Sequence, residues 1–336
     1  MKHREAQQRL FEKGSMKRIG FLYEKICTID NLVLAVRNAT KNKKHRRGIV
    51  KDAHDNPELY AQRVKEILES GNVEFAPPRL KTRREHNKIR NIKTPKFYPD
   101  QIIHWALMQV IDPIINRGMY RYCCGSVKGR GTSAARKAVI KFTKNDPRIK
   151  YVLKADVRRF FESVDIEILK QKFKRVIKDA KVLSLIDAIL DNGGSGLPIG
   201  YYTSQGFSNF YLQTFDHTVK EKLKIKHYVR YADDIVFLDR NKRKLHKAVK
   251  VLGNVLRRGN LKLKDDWQVW RYGTRPIDFV GYRFYKGYTL LRKQVFYSLT
   301  RTVRKIQKIR RAVASMFAVY IVHRPRKGNQ FQKILP

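Results

Sequence analysis

The spacing of apolar residues changes along the chain. Residues 15–40 carry apolar side chains at helical intervals, which predicts a helix with Asp30 as its N-cap. A second helix is predicted from Pro99 through Ile114. From Tyr151 onward the intervals shorten. Tyr151–Ala155 and Tyr228–Leu238 are apolar runs typical of strands, and the second run predicts two short strands around a tight turn.

Helical and strand-forming segments therefore alternate through the middle of the chain. Residues Arg79–Arg90 and Asp278–Leu291 each predict a hairpin, and the tail from Arg292 predicts a basic helix. We expect an α+β fold built around a short antiparallel strand pair. A chain of 336 residues corresponds to about two packed units at roughly 150 residues each.

The charge balance identifies the partner to test first. The chain has 74 Lys and Arg but only 29 Asp and Glu, a formal net charge of +45. A surface this positive favours a polyanion, so we expect nucleic acid to bind. No apolar run is long enough to span a membrane. Cys27, Cys123 and Cys124 have neither disulfide nor zinc-site spacing, which indicates a reducing, cytoplasmic compartment.

In so basic a chain, carboxylates flanked by apolar residues are informative. Asp156 follows an apolar strand, and Asp233 and Asp234 lie together between Tyr231-Ala232 and Ile235. Adjacent like charges in such surroundings are unfavourable unless cations neutralise them. Two Mg²⁺ ions, or Mn²⁺ in their place, would do so and could also activate a 3′-hydroxyl group and stabilise leaving pyrophosphate. The alternative for an isolated Asp-Asp pair is a solvated turn.

Two of these segments resemble motifs of a known family. Tyr231-Ala232-Asp233-Asp234 resembles the fifth conserved block of reverse transcriptases, and the segment from Leu153 to Phe161 resembles their first palm motif. The resemblance implies a right-hand polymerase with fingers, palm and a short helical thumb. It also implies that Asp156, Asp233 and Asp234 are catalytic metal ligands, with the Val157 carbonyl as a further ligand.

The same resemblance assigns a role to an aromatic ring. Phe161 stands where the family has its sugar gate, so its ring is expected to exclude a ribose 2′-hydroxyl and to select deoxynucleotides. The alternative is that Phe160 and Phe161 form a core pair. We expect one ring in the core and the other in the site.

Basic residues upstream resemble the fingers of bacterial reverse transcriptases. In the stretch Arg90-Asn91-Ile92-Lys93-Thr94-Pro95, Arg90 matches the residue that grips the triphosphate, a contact that suits a guanidinium group. Lys88 is a weaker nucleic-acid-binding candidate. The Gly125–Gly131 loop, which includes Arg130, resembles the second block, near the template, where glycine permits close backbone approach. An ordinary basic surface is the alternative for Arg90.

The resemblance divides the chain into four parts. We predict an N-terminal helical extension at 1–70 and fingers at 71–150, with residues 180–205 returning near the junction of fingers and palm. The palm, with its primer-grip hairpin, is predicted at 151–291 and a basic helical thumb at 292–336.

The segment that corresponds to the fourth conserved block indicates a particular subfamily of reverse transcriptases. In Leu197-Pro198-Ile199-Gly200-Tyr201-Tyr202-Thr203-Ser204-Gln205, Ile199 and Gln205 replace the usual Gln and Pro, as in reverse transcriptases of diversity-generating retroelements. Ile199, Gly200 and Gln205 are therefore predicted to lie at the nucleotide. Because Ile cannot donate a hydrogen bond as Gln would, we expect reduced fidelity opposite template adenine. Packing beneath the palm is the alternative role for Ile199.

Downstream segments carry further candidates. The stretch Ile277–Phe284 resembles the subfamily's primer-grip region and includes Arg283, a predicted nucleic-acid contact. A lysine that protonates pyrophosphate in related enzymes has no clear counterpart, because Trp267 occupies its slot and Lys262 and Lys264 both lie nearby. The thumb-like tail contributes three more nucleic-acid-binding candidates at helical spacing: Arg301, Arg304 and Lys308.

The expected function is RNA-directed DNA polymerisation with low fidelity at template adenines, that is, mutagenic retrohoming by a diversity-generating retroelement of a bacterium or phage. The implied partners are dNTPs, a template RNA, a primer or cDNA strand and a small, basic, oligomeric accessory protein. One alternative is another bacterial reverse transcriptase, of retron, defence-associated or reduced group II intron type. Another is a catalytically silent RNA-binding scaffold.

Overall fold

The described part of the chain divides into two units, one mostly helical and one built on antiparallel strands. The computed structural model describes residues 18–41, 43, 47–85 and 88–305. Within these residues, the first unit is drawn from Met1–Met119, Arg159–Thr214 and Arg257–Leu261, and the second from Tyr120–Arg158, Phe215–Leu256 and Lys262–Pro336. The four-part division into extension, fingers, palm and thumb stays a prediction.

The first unit is mostly helical. Its helices are α1 (Tyr23–Ile26), α2 (Ile29–Thr40), α3 (Ile49–Asp55), α4 (Pro57–Glu69), α5 (Ile102–Ile115), α7 (Phe160–Ser163), α8 (Ile166–Val176), α9 (Ala180–Gly193) and α10 (Tyr202–Tyr211). A π-helical turn at Phe97–Gln101 leads into α5. Helix α2 packs against α4 and α5, and α10 packs against α5 and α8. The unit also contains a hairpin of β1 (Arg79–Glu85) and β2 (Lys88–Thr94), which bears Arg90.

The second unit is built on an antiparallel sheet in the order β4-β5-β3-β6. These strands are β3 (Tyr151–Asp156), β4 (His227–Tyr231), β5 (Asp234–Asp239) and β6 (Gln268–Arg271). A three-stranded antiparallel sheet adds β7 (Ile277–Phe279), β8 (Tyr282–Phe284) and β9 (Thr289–Leu291). The unit's helices are α6 (Thr132–Asn145), α12 (Lys242–Arg258), whose residues from Arg257 on belong to the first unit, and α13 (Lys293–Lys305). Helix α11 (Gln213–His217) crosses the boundary between the units, and a π-helical turn, Thr218–Lys222, follows it.

One apolar core joins both sheets and α6. Val139 and Phe142 of α6 are buried with Val152 of β3, Val236 of β5 and Phe279 of β7. Val152 and Leu153 of β3 are both buried, on opposite faces of the strand, whereas Lys154 and the last residue, Asp156, are only partly buried and remain available for polar contacts. The core thus fixes the strand ends on which the carboxylates lie.

The predicted fold class is confirmed: the protein is α+β, and an antiparallel sheet carries the Asp-Asp hairpin. The strands near residues 151 and 228–238 and the Arg79–Arg90 hairpin are also confirmed. The predicted N-cap Asp30 is wrong. Thr28 is the N-cap, and Asp30 lies in the first turn, where a negative charge suits the helix dipole. In the described part of the chain, no helix combines the length and apolar character needed to cross a membrane.

Candidate active site

The Asp-Asp pair begins in a two-residue turn. Tyr231 of β4 pairs with Asp234 of β5, so Ala232 and Asp233 form the connection. Ala232 has a φ of 52°, a left-handed conformation that is unfavourable for a residue with a Cβ. Such a strained residue persists only when its surroundings hold it, so the contacts around this turn matter for the position of Asp233.

Two neighbours hold the turn. Gly125 packs so closely that a Cβ on it would lie 2.5 Å from the Ala232 nitrogen. The Arg230 guanidinium donates from Nη1 to the Ala232 carbonyl over 2.9 Å. The close approach expected of the glycine-rich loop is therefore made to the protein's own acidic turn.

Arg230 is itself held by a buried ion pair. Its Nη2 lies 2.6 Å from Asp216 Oδ2, and both side chains are almost completely buried. The Tyr228 hydroxyl donates to Asp216 Oδ1 over 2.5 Å. Because Asp216 fixes the guanidinium that donates to Ala232, this pair supports the acidic turn from within the core. Sequence analysis missed both residues, although an arginine inside the apolar strand β4 was the available signal.

The third carboxylate lies beside the turn. Asp156 ends β3 directly opposite Asp234 in the antiparallel register, where facing Cα atoms are about 4.5–5.5 Å apart. The backbone N–H of Val157 donates to the Asp233 carbonyl oxygen over 3.3 Å. The structure therefore places Asp156, Asp233, Asp234 and Val157 next to one another.

The electrostatic environment penalises negative charge. Burial, together with the neighbouring Asp156 carboxylate, holds the pKa of Asp233 well above its ordinary value. Burial raises the pKa of Asp234 to about 6, although Lys154 acts in the opposite direction. Asp156 Oδ1 and Asp234 Oδ1 are buried without a hydrogen-bond partner. Buried carboxylates with unpaired oxygens are suited to bind a cation. The cation would balance their negative charge and coordinate the unpaired oxygens.

Two lysines already neutralise part of this charge. Lys264 Nζ lies 2.5 Å from Asp156 Oδ2, and Lys154 Nζ lies 3.6 Å from Asp234 Oδ2. Burial lowers the pKa of Lys264, but the hydrogen bond with Asp156 and the negative charges of Asp156, Asp233 and Asp266 together outweigh burial and leave the pKa raised. Across the described ranges, no three His, Cys, Asp or Glu side chains converge closely enough to hold a metal ion as they stand. Of the two lysines considered from sequence, Lys264 is the one beside the acids.

The predicted sugar gate lies in the first unit. Phe160 is buried, and the Phe161 ring is only partly buried, 5.5 Å from it in an edge-to-face arrangement. The Phe161 carbonyl accepts a hydrogen bond from Leu197 N–H over 2.7 Å. A Cβ on Gly196 would lie 2.6 Å from that carbonyl oxygen. One ring is thus in the core, and the loop of the fourth block fixes the backbone that carries the other.

That loop also contacts the basic hairpin. Lys93 N–H of β2 donates to the Ile199 carbonyl over 3.0 Å, and a Cβ on Gly200 would lie 2.5 Å from the Lys93 carbonyl oxygen. The first unit therefore brings Ile199 and Gly200 to the strand that bears the exposed Arg90. Gln205 is exposed on α10.

The predicted basic contacts have varied surroundings. Arg130 donates to the carbonyl oxygens of Tyr120 and Cys123 over 2.8 and 3.0 Å, which fastens its own loop. Arg283 lies 3.8 Å from Asp278 and is 41% exposed. Arg301 is exposed on α13. The side chains of Lys88 and Arg304 are outside the described structure, and Lys308 lies outside the described residues altogether.

The amino-acid sequence of this chain is similar to those of known proteins. Residues 83–284 match the family model described as reverse transcriptase (RNA-dependent DNA polymerase). Protein YkfC of Escherichia coli K12 is 23% identical over 304 residues, 77% of this chain and 78% of that protein. The Retron Ec73 reverse transcriptase of Escherichia coli is 27% identical over 173 residues, 48% of this chain and 52% of the retron enzyme.

Solved structures include two similar chains from yeast telomerases. Apo telomerase from Candida tropicalis, truncated from its C-terminal domain, has a TM-score of 0.48 and 13% identity, covering 67% of this chain and 58% of the telomerase. Telomerase from Candida albicans, in complex with the TWJ fragment of telomeric RNA, has a TM-score of 0.46 and 14% identity, covering 67% and 48%. The chain thus spans less than two thirds of either telomerase.

Proposed function

Because this chain belongs to the reverse transcriptase family, which consists of RNA-directed DNA polymerases, we propose that Asp156, Asp233 and Asp234 form its catalytic centre. The observation that carries the proposal is the convergence of these carboxylates at the end of β3 and the adjoining turn. Burial makes their negative charge unfavourable, and two of their oxygens have no hydrogen-bond partner. A site built this way is suited to bind cations.

The donor set suits two Mg²⁺ ions, with Mn²⁺ as a substitute. The three carboxylates and the Val157 carbonyl oxygen would hold them, because Mg²⁺ prefers a few carboxylates plus phosphate oxygens. Bound there, the ions would supply positive charge that favours attack of the primer 3′-oxygen on the dNTP α-phosphate and departure of pyrophosphate.

The chain's own residues prepare this site. Arg230 and Gly125 hold the acidic turn, so Asp233 keeps its position before any substrate arrives. The side chains of Lys264 and Lys154 lie beside the carboxylates and offset part of their repulsion in the metal-free protein. We assign Lys264 a role in setting the charge of the site, and its removal is expected to lower the Mg²⁺ concentration needed for half-maximal rate.

We extend the proposal to sugar selection by Phe161. Its half-exposed ring, carried on a backbone fixed by Leu197, is suited to close off the space of a 2′-hydroxyl group. Phe161→Ala should reduce the preference for dNTP over rNTP by roughly 10–200-fold, the range expected when a pocket contact is removed. Phe160→Leu is the matched control. Equal discrimination by wild type and Phe161→Ala would contradict the assignment.

The primary test is primer extension on an RNA template with Mg²⁺ and dNTPs. We expect template-directed DNA synthesis. A protein that binds RNA tightly but extends no primer, under conditions where Mg²⁺ and dNTPs are saturating, would instead support the scaffold alternative. The same assay with only rNTPs measures the action of the sugar gate.

Within the family, we propose that the chain is a diversity-generating reverse transcriptase that misincorporates opposite template adenine. The supporting features are Ile199 and Gln205, together with the attachment of the Ile199 backbone to β2 beside Arg90. Sequencing of cDNA should show errors concentrated at adenines. Ile199→Gln should reduce them, whereas Ile89→Gln, an exposed change on the same hairpin, should not. An unchanged error spectrum in Ile199→Gln would contradict this role.

A retron-type reverse transcriptase is the second candidate function. The observation that favours it is the 27% identity with the Retron Ec73 enzyme over 173 residues. Faithful copying of adenines by the wild-type protein would favour this candidate. The diversity-generating function further implies a small, basic, oligomeric accessory protein, and co-purification with such a protein from a neighbouring reading frame would support it.

A further inference from the structure

Two surface cavities adjoin at the end of β3 and β5 that is remote from the carboxylates. Their volumes are about 310 and 690 Å³. Arg148, Arg240 and Asn241 line both cavities, so the two form one continuous depression, which we call the basic groove. Strand β3 rises about 3.3 Å per residue, so Tyr151 at the groove lies roughly 17 Å from Asp156.

The lining of the groove is dominated by cations. The lysines and arginines that line one or both cavities are Arg148, Lys150, Lys226, Arg240, Lys242, Arg243 and Lys244. Among the described residues that line the groove, two are acids, Asp146 and Asp239. The groove therefore has a strong excess of positive charge.

Both acids already have cationic or hydrogen-bonding partners. Asp146 Oδ1 accepts from Arg148 Nε over 3.0 Å, and His227 Nε2 lies 3.1 Å from Asp146 Oδ2. Asp239 lies 3.3 Å from Lys244 Nζ and accepts from the Asn241 backbone N–H over 2.9 Å. The acids thus leave the other cations of the groove uncompensated.

Four cations of the groove lack an acidic partner. Within the described ranges, no carboxylate lies within 4 Å of the side chains of these residues: Lys150, Arg240, Lys242 and Arg243. All four side chains are exposed to solvent. They are therefore free to meet an external anion.

Helix α12 supplies an independent sign that an anion belongs here. This 17-residue helix has no acid in its first turn, where Lys242, Arg243 and Lys244 lie instead. Cations at a helix N-terminus oppose the helix dipole, so their presence there is unfavourable. Asn241 Oδ1 accepts a hydrogen bond from the Lys244 N–H, and a bound anion would interact favourably with the cations and with the remaining N–H groups of the first turn.

We propose that the basic groove binds the phosphate backbone of RNA at a point separate from the active site. Interfaces with proteins are built around apolar and aromatic anchors, and of the groove's lining only the buried Ile149 and the partly buried Tyr151 are apolar or aromatic. Exposed Arg and Lys at several positions suit a polyphosphate instead. The choice of RNA rests on the RNA-copying function, since the template is the long polyanion present from the first nucleotide addition.

The test compares two double variants of the same helix. Lys242→Gln/Arg243→Gln removes two cations of the groove, and Lys247→Gln/Lys250→Gln removes two exposed cations of α12 that do not line it. Each protein is first saturated with a short RNA–DNA primer–template hairpin. It is then titrated with a labelled single-stranded RNA of about 40 nucleotides.

The groove variant should bind this RNA roughly tenfold more weakly at about 0.15 M salt, and the slope of log affinity against log salt should fall by about 1.4. The α12 control should match wild type, and both variants should extend the short hairpin at the wild-type rate. Normal extension with weakened RNA binding separates the groove from the catalytic centre, and loss of extension in wild type would instead count against the polymerase function.

Three results would overturn the proposal. Equal RNA affinity in the groove variant and wild type would show that the groove does not bind RNA. Equal weakening in both variants would show that only overall charge matters. Displacement of the RNA by polyglutamate, or by single-stranded DNA of the same sequence at equal concentration, would assign the groove to an acidic protein or to DNA.

Discussion

The two ends of strands β3 and β5 have opposite electrostatic designs. At one end, Asp156 and Asp234 face each other beside a strained turn, with few, partly buried charges. At the other end, where Tyr151 pairs with Asp239, many cations are exposed around an open groove. The acidic end relies on a few carboxylates whose ionised form is unfavourable where they lie. At the basic end, affinity for an anion would come from many exposed cations, and each of them could be lost at small cost.

A single residue type shows the difference. Burial raises the pKa of Asp234 to about 6. Hydrogen bonds with Arg148 and then with His227 lower the pKa of Asp146 far below its ordinary value. The ionised form of an aspartate is thus unfavourable at one end of the sheet and favourable at the other. Substitutions of aspartates at the two ends should therefore have different consequences.

The largest effect is expected at the acidic end. Asp156→Asn removes a charge that the bound cations require, and the rate of primer extension should fall by on the order of 10³-fold or more, since metal ions supply several kcal/mol of stabilisation. Extension is measured under single-turnover conditions. Asp265→Asn, an exposed acid next to Lys264, is the control and should retain activity. Comparable rates of primer extension in both variants would contradict a catalytic role for the acidic end of the strands.

The second effect concerns the buried support of the turn. Arg230→Met leaves Asp216 charged and buried without its partner, so we expect a loss of about 3–5 kcal/mol in the free energy of unfolding. Primer extension should fall as well, because the Ala232 carbonyl loses its donor. Denaturant unfolding measures the stability.

A second substitution separates the effect of Arg230 on stability from its effect on primer extension. Asp216→Asn added to Arg230→Met removes the uncompensated charge while keeping an acceptor for the Tyr228 hydroxyl. Stability should recover in part, but extension should not, since Ala232 still lacks its donor. Full recovery of activity in the double variant would show that Arg230 does not position the turn.

A smaller effect is expected from the glycine that packs on the turn. Gly125→Ala places a Cβ 2.5 Å from the Ala232 nitrogen, and the backbone shift should destabilise the protein by about 1–3 kcal/mol and reduce extension. Gly253→Ala is the control, because its Cβ meets no atom within 4 Å and α12 should gain up to about 1 kcal/mol. If both variants kept full activity, Gly125 would have no role in holding Asp233.

The smallest effects have opposite signs at the two ends. In metal-free protein at neutral pH, Asp234→Asn should raise the unfolding temperature by a few degrees, and Asp146→Asn should lower it. A raised folded-state pKa means that Asp234 destabilises the fold progressively as the pH rises from 3.8 to about 6. A lowered folded-state pKa means that Asp146 stabilises the fold above its unfolded pKa and loses that contribution on acidification.

Thermal unfolding in the presence of a chelator, at pH 5 and at pH 7.5, measures both signs. The gain from Asp234→Asn should be smaller at pH 5, because the carboxyl group is then mostly protonated in the folded protein. Shifts of the same sign in both variants would show that the two ends do not differ as described.

The sequence predicted the acidic end well because its signals are local. Two apolar runs flanking Asp233-Asp234 predict a hairpin, and the apolar run before Asp156 predicts a strand of the same sheet. Thr28, which replaces Asp30 as N-cap, shows the limit of such signals, because neighbouring residues with similar capping preferences cannot be ranked by pattern alone.

The supports of the turn could not be predicted in the same way. Nothing local connects Asp216 with Arg230 or Gly125 with Ala232, because each pair is created by tertiary packing. The basic groove was also missed. Its cations come from separate segments, and a net charge of +45 makes every basic segment look alike until the fold shows which ones converge.

Direct measurement of cation binding tests the central claim that Asp156, Asp233 and Asp234 form a divalent-cation site. Mn²⁺ binding, followed by electron paramagnetic resonance in the presence of primer–template and dNTP, should be tight in wild type and in Asp265→Asn. Asp233→Asn should bind Mn²⁺ at least tenfold more weakly, as expected when a ligand charge is removed. Equal Mn²⁺ affinity in Asp233→Asn and wild type would contradict the assignment of this site.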